Sequence, residues 1–303
     1  MALRSRPMPP PSLSRLPGIG YGAGAYLIWG LFPAFFGLLA FAAPMEILAH
    51  RIVWTVVAML ALLTVTGRLR TLAAIPGRAW ALSAVAAAAI AVNWGVYVYG
   101  VITGHVVECA LGYFVTPLVS VLFGVMFFGE RLSPAQLAAV ALATVAVTVI
   151  TVAYGRAPWI ALVLAGSFAV YGVIKKVVPL DPMRSLTAEG LVTAPLALTY
   201  LGYLVGTGGS ALGGSLPHAF LLVAAGPVTA VPLLLFGAAA RRVPLVTMGL
   251  LQYLTPALQM AWGVLVGHEA MPTSRWIGFG LIWLALAIFV ADSLHGRRTA
   301  VLR

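Results

Sequence analysis

Ten apolar stretches, each 17 to 25 residues long, follow one another along this 303-residue chain: 18–41, 45–66, 79–103, 109–128, 135–153, 158–174, 185–206, 218–239, 244–267 and 276–292. A helix crosses the hydrocarbon core of a bilayer with about 20 such residues. In lipid every backbone amide must be satisfied within its own segment, so an apolar run of this length folds as helix. The links carry breaking residues, as in Ala43-Pro44, Gly67-Arg68, Gly129-Glu130-Arg131 and Gly155-Arg156-Ala157-Pro158. The longest link is the Gly/Ser-rich run 206–217. Only 8% of residues are charged and 62% are apolar, whereas a soluble domain carries about a quarter charged residues. The sequence predicts an all-α polytopic membrane protein with ten transmembrane helices.

The formal charge is +11, yet the cations are scattered over short links instead of stacked on one face, which argues against a nucleic-acid partner. Topology explains them better, because Lys and Arg accumulate on the cytoplasmic side. With both termini placed inside, fifteen of the 18 Lys and Arg residues fall in cytoplasmic segments, Arg156 and Arg275 fall outside, and Arg51 lies within a span. The expected setting is a bacterial-type cytoplasmic membrane, with lipid as the surrounding solvent. Residues 1–17 hold three Arg and five Pro and read as a disordered basic cytoplasmic leader; 293–303 read as a basic cytoplasmic tail. The single cysteine, Cys109, excludes an intrachain disulfide and is expected to pack as a small apolar residue. No G-x-x-x-x-G-K-[ST] loop, H-E-x-x-H or G-x-S-x-G motif occurs, so neither ATP hydrolysis nor metalloprotease or hydrolase chemistry has its usual residues. No enzymatic activity, cofactor or metal is expected.

An internal repeat links two of the stretches. Tyr113-Phe114-Val115-Thr116-Pro117, Gly124-Val125 and Glu130 correspond to Gln252-Tyr253-Leu254-Thr255-Pro256, Gly263-Val264 and Glu269 without a gap, every pair 139 positions apart. That spacing defines a unit of five spans, 18–153 followed by 158–292. An odd unit inverts its second copy in the membrane, an arrangement common among secondary transporters.

Polar residues inside the spans mark candidate sites, since they avoid lipid. At helical spacing Tyr113, Thr116, Pro117, Ser120 and Gly124 share a face, as do Gln252, Thr255, Pro256, Gln259 and Gly263. Asn93 and Tyr97 form a third stripe. These faces either line a cavity or glue helices together. Trp29 and Tyr171 occupy matching places in the two units, and Pro117 and Pro256 are possible flexing points, each removing a backbone hydrogen bond. Glu46 and His50 are four apart and share a face; they either relay protons or fix the helix by an ion cluster, with Arg51 supplying a counter-charge. Glu189 is either a coupling residue or an interface anchor. His105 and Glu108 are expected in a solvated link. The cavity candidates hold no fixed charge, which favours a neutral or zwitterionic solute.

The repeated Thr-Pro-x6-Gly-x5-Glu pattern resembles the EamA family of the drug/metabolite transporter superfamily, and its RarD-type permeases in particular. The matching stretches include Ala25-Tyr26-Leu27-Ile28-Trp29-Gly30, Glu46-Ile47-Leu48-Ala49-His50-Arg51, Pro158-Trp159-Ile160-Ala161 and Leu251-Gln252-Tyr253-Leu254-Thr255-Pro256. The resemblance implies ten helices, cytoplasmic termini and movement of small organic solutes, usually outward; protons enter as a coupling ion only through the Glu46–His50 pair. A secondary transporter working by alternating access is the first expectation. A passive facilitator or a non-transporting membrane scaffold is the alternative.

Overall fold

The computed structural model describes residues 15–128, 132–240 and 251–301. Most of the leader, Glu130 of the repeat and the start of the ninth stretch lie outside the described residues. Among the described residues the regular elements are helical: α1 (Arg15–Gly30), α2 (Phe32–Gly37), α3 (Pro44–Val65), α4 (Gly77–Ile102), α5 (Val106–Phe128), α6 (Pro134–Tyr154), α7 (Trp159–Val177), α8 (Pro182–Gly206), α9 (Leu216–Ala240), α10 (Leu254–Leu265) and α11 (Thr273–Val301), with short 3-10 turns at Leu69–Leu72 and Ala211–Gly213. Among the described residues seven stretches are long and apolar enough to cross a membrane, and Val106–Ser120 and Trp159–Lys175 are shorter apolar helices.

The helix ends follow from the breakers. Pro44, Pro134 and Pro182 open α3, α6 and α8, where the missing N–H has no intrahelical partner to lose. Ser133 and Gln136 form a reciprocal capping box at α6. Gly155 closes α6 with φ 66°, a left-handed conformation that costs glycine little. The first apolar stretch is not one straight helix: it breaks at Leu31, ahead of Pro33, and resumes as α2.

The extensive helix pairings join residues 18–153 to residues 158–292: α1 packs on α9 and α10, α3 on α8 and α9, α4 on α7 and α8, α5 on α7 and α10, and α6 on α11. Small residues permit the closest approaches, as is usual where lipid supplies no hydrophobic drive. A Cβ on Gly226 of α9 would fall 2.3 Å from the Trp54 backbone of α3. One on Gly112 of α5 would fall 2.8 Å from the Ala161 carbonyl of α7.

Cross-links place the ends of the bundle. Glu46, Glu108 and Glu269 gather at one end, hereafter the Glu46 end. At the other end Arg68 pairs with Asp181 at 3.2 Å, and Ser133 donates to Asp292 at 2.8 Å.

Candidate functional site

Three of the predicted residues, Glu46, His50 and Arg51, are buried on α3. Glu46 turns to the link before α9, where its Oε1 accepts from the Ser210 hydroxyl at 2.9 Å and the Ala211 amide at 2.8 Å. His50 Nε2 stands 4.0 Å from the same oxygen, too far for a hydrogen bond, and among the described residues neither ring nitrogen has a partner. Arg51 does not serve as the counter-charge of Glu46. One residue further along the helix, it projects on a different side, and its Nε donates to Thr229 Oγ1 of α9 at 2.8 Å.

Aromatic rings surround the Arg51 guanidinium. Its carbon lies 4.1 Å from the ring centre of Trp94, 5.0 Å from Phe36 and 5.4 Å from Phe32. The break at Leu31 starts α2 with Phe32 and Phe36 four apart, on one face. Arg51 is 3% exposed, no carboxylate among the described residues pairs with it, and its Nη1 is unpartnered.

From this cage a row of rings crosses the bundle. Phe36 to Tyr97 is 6.1 Å between centres, Tyr97 to Tyr113 is 5.9 Å, Tyr113 to Phe168 is 6.3 Å and Phe168 to Tyr171 is 5.9 Å. Asn93 fixes its middle. Its amide donates to the Leu164 carbonyl at 3.0 Å and to Ser167 Oγ at 3.1 Å, while its carbonyl accepts from the Tyr113 hydroxyl at 3.2 Å. One side chain thus ties α4, α5 and α7. Tyr97 is buried, and its hydroxyl has no partner among the described residues.

The row ends at a second buried charge. Glu189 of α8, 2% exposed, accepts from the Tyr171 hydroxyl at 3.1 Å, from Ser185 Oγ at 2.7 Å and from the Lys175 ammonium. Lys175 also lies 5.1 Å from the Tyr171 ring centre. A cavity between α3, α4 and α8 is lined by Ile52, Thr55, Trp94, Leu186, Glu189 and Thr193, so it touches one ring of the Arg51 cage and this carboxylate.

The remaining predicted residues sit apart from the row. Gln259 is 1% exposed and donates to the Trp29 carbonyl at 3.1 Å. Thr255, one turn earlier, donates to the Tyr26 carbonyl at 2.9 Å. Together they staple α10 to α1. Trp29 packs against Tyr26 and Phe236. Gln252 is half-buried and Ser120 is exposed. Pro117 lies within continuous α5. Pro256 sits in the first turn of α10, directly after a turn at Tyr253.

Two carboxylates carry more structure than their sequence positions suggested. Glu108 is buried, not solvated: it accepts from the Ile160 amide at 3.0 Å and pairs with Arg156 at 3.2 Å, capping α7. Glu269 accepts from the Val106 amide at 2.6 Å and the Val107 amide at 3.1 Å, capping α5. Gly263 leaves the room for this, since a Cβ there would stand 3.0 Å from Glu269 Oε1; that accounts for the Gly-x5-Glu spacing in the second unit. Burial raises the Glu269 pKa against the lowering effect of the two amides. The readable signal was a pair of helices, α5 and α7, without an N-cap side chain of their own. Among the described residues no group of three or more His, Cys, Asp or Glu side chains offers a metal site.

Apolar helices around buried, partly unpartnered polar groups define a polytopic membrane protein. Residues 16–152 match the model of the EamA-like transporter family. A Streptomyces exfoliatus protein named RarD is 50% identical over 93% of this chain and 90% of its own length. An uncharacterized transporter of Pseudomonas aeruginosa is 41% identical over 93% of this chain and 95% of its own. A solved crystal structure shares the fold, with a TM-score of 0.56 at 20% identity over 90% of this chain and 97% of that one. The chain belongs to the EamA family, as a RarD-type permease, and is a membrane transporter of the bacterial cytoplasmic membrane.

Proposed function

We propose that this permease is a secondary transporter that moves a small organic solute by alternating access, built from two inverted five-helix units, 18–153 and 158–292. In this reading α1 with α2 forms the first span and α10 closes the ninth. The helix pairings carry the argument. Exchanging the units (α1 for α7, α3 for α8, α4 for α9, α5 for α10, α6 for α11) converts α1–α9 into α7–α4, α1–α10 into α7–α5 and α3–α9 into α8–α4, while α3–α8, α5–α10 and α6–α11 map onto themselves. Every extensive contact between the units therefore has its counterpart, as a two-fold axis in the membrane plane requires. Such an interface has two equivalent ways to open. The Arg68 end holds the bulk of the cations and faces the cytoplasm in this orientation, with both termini there.

The solute path follows the seam between the units, along Tyr97, Tyr113 and Tyr171, with Asn93 fixing the Tyr113 ring from behind. His50 and Glu189 are the groups to examine for proton coupling. Comparing the metabolites released by cells with and without the protein identifies a solute, and counterflow tests the mechanism. In proteoliposomes preloaded with unlabelled solute, uptake of labelled solute is expected to overshoot equilibrium transiently. A facilitator with a continuous pore gives downhill flux without overshoot, and that result would overturn the reading.

A further inference from the structure

We infer that the solute is an organic anion with a carboxylate on a flat apolar body, and that Arg51 holds the carboxylate; this deepens the transporter reading and rests on it. The sequence alone favoured a neutral or zwitterionic solute, because the polar stripes carry no fixed charge. The structure brings a charge to those stripes from a different helix. Arg51, Tyr97 and Tyr113 lie five to seven residues from the Glu46 end of α3, α4 and α5, about 8–10 Å deep at the helical rise.

Burying a cation in a low-dielectric bundle is costly, and proteins ordinarily offset the cost with a carboxylate. Here three ring faces and one threonine hydroxyl take that place. Ring faces attract a cation without neutralising it, so the cage keeps its positive charge. The neighbouring carboxylate, Glu46, is held by Ser210 and Ala211 instead. With Nε on Thr229, the unpartnered Nη1 is a free charge-assisted donor, and the buried, unpartnered Tyr97 hydroxyl stands beside the cage, its ring 6.1 Å from Phe36. One cation and one hydroxyl suit a monoanion. A phosphate dianion ordinarily collects more cations or a run of backbone amides, and neither is present among the described residues around Arg51.

The rings running on from Phe36 through Tyr97 and Tyr113 to Phe168 pack tilted or edge to face as one apolar row along the seam. At the far end the Lys175 charge is already met by Glu189, so Arg51 is the uncompensated cation of the row. A ligand with its carboxylate on Nη1 and a planar body against these rings satisfies both features.

The test uses the full-length protein in detergent and in proteoliposomes, with benzoate, 2-naphthoate and 4-hydroxyphenylacetate as probes, each beside its uncharged amide. At least one carboxylate is expected to raise the melting temperature by several degrees at millimolar concentration, while its amide does not. Arg51→Gln is expected to abolish that shift, and Tyr97→Phe, which keeps the cation, to weaken the apparent affinity three- to tenfold. Equal effects of acids and amides on the wild-type protein overturn the inference without any variant, as does a carboxylate shift that survives in Arg51→Gln. Failure of the underlying reading looks different: carboxylate binding lost in Arg51→Gln but unaccompanied by counterflow in the wild type sinks alternating access alone. Counterflow of a neutral solute that persists in Arg51→Gln sinks this inference alone.

Discussion

The side-chain amide of Gln259 donates to the main-chain carbonyl of Trp29 at 3.1 Å, and the helical partner of that carbonyl would have been the nitrogen of Pro33, which carries no hydrogen. The proline that breaks the first span thereby creates the acceptor that binds α10. Gln259→Leu leaves the carbonyl unsatisfied and is expected to cost about 1–2 kcal/mol. Thermal unfolding in detergent reads this as a lower midpoint. A midpoint equal to that of the wild type would remove the staple from the account.

The partly exposed Lys175 and the buried Glu189 form the ion pair at the end of the ring row. Lys175→Met leaves a carboxylate that is 2% exposed with only the Tyr171 and Ser185 hydroxyls, at a cost of about 1–3 kcal/mol. Lys175→Met with Glu189→Gln removes both charges and is expected to recover most of that loss. A double-mutant cycle measures the coupling; additive single effects would show the pair to be energetically idle.

The capping carboxylate of Glu269 has a folded pKa raised by burial. A raised acid binds its proton more tightly in the folded state, so its effect on stability is most favourable at low pH. That advantage is lost as pH climbs from the ordinary carboxylate value through the raised one. Glu269→Gln is expected to flatten this part of the curve, measured by unfolding midpoints between pH 4 and about 7. A slope as steep in the variant as in the wild type would assign it to another group.

Gly226→Ala drives a methyl group into the Trp54 backbone and is expected to cost at least about 1–3 kcal/mol as α3 and α9 separate. Gly280→Ala meets nothing within 4 Å and should be neutral or stabilise by up to about 1 kcal/mol. Expression level and melting temperature of the two variants, compared side by side, test whether the α3–α9 contact is as close as described.

Several long helices were legible because their punctuation is local. The stretch 45–66 became α3 at Pro44–Val65, 79–103 became α4 at Gly77–Ile102, and 135–153 became α6 at Pro134–Tyr154, each opened or closed by a proline or glycine visible in the chain. The partners of the polar residues were less legible. Nothing near Arg51 announces that Phe32, Phe36 and Trp94 will close around it, and no spacing rule says that Asn93 will bond to Leu164 rather than face a cavity. Glu108 looked like a link residue because the amide it caps lies 52 positions later. Period and composition report which face of a helix is polar; which groups meet that face depends on distant segments.

The bond from Glu269 to the start of α5 spans 163 positions of sequence, and this bears on how the protein is made. At about 5–20 residues per second, the first turn of α5 enters the membrane roughly 10–30 s before its capping carboxylate is synthesised. Until then the Val106 and Val107 amides must find other acceptors, such as water or headgroups at the bilayer surface. A chain halted before Glu269 would keep its earlier spans yet leave the first turn of α5 without its capping carboxylate.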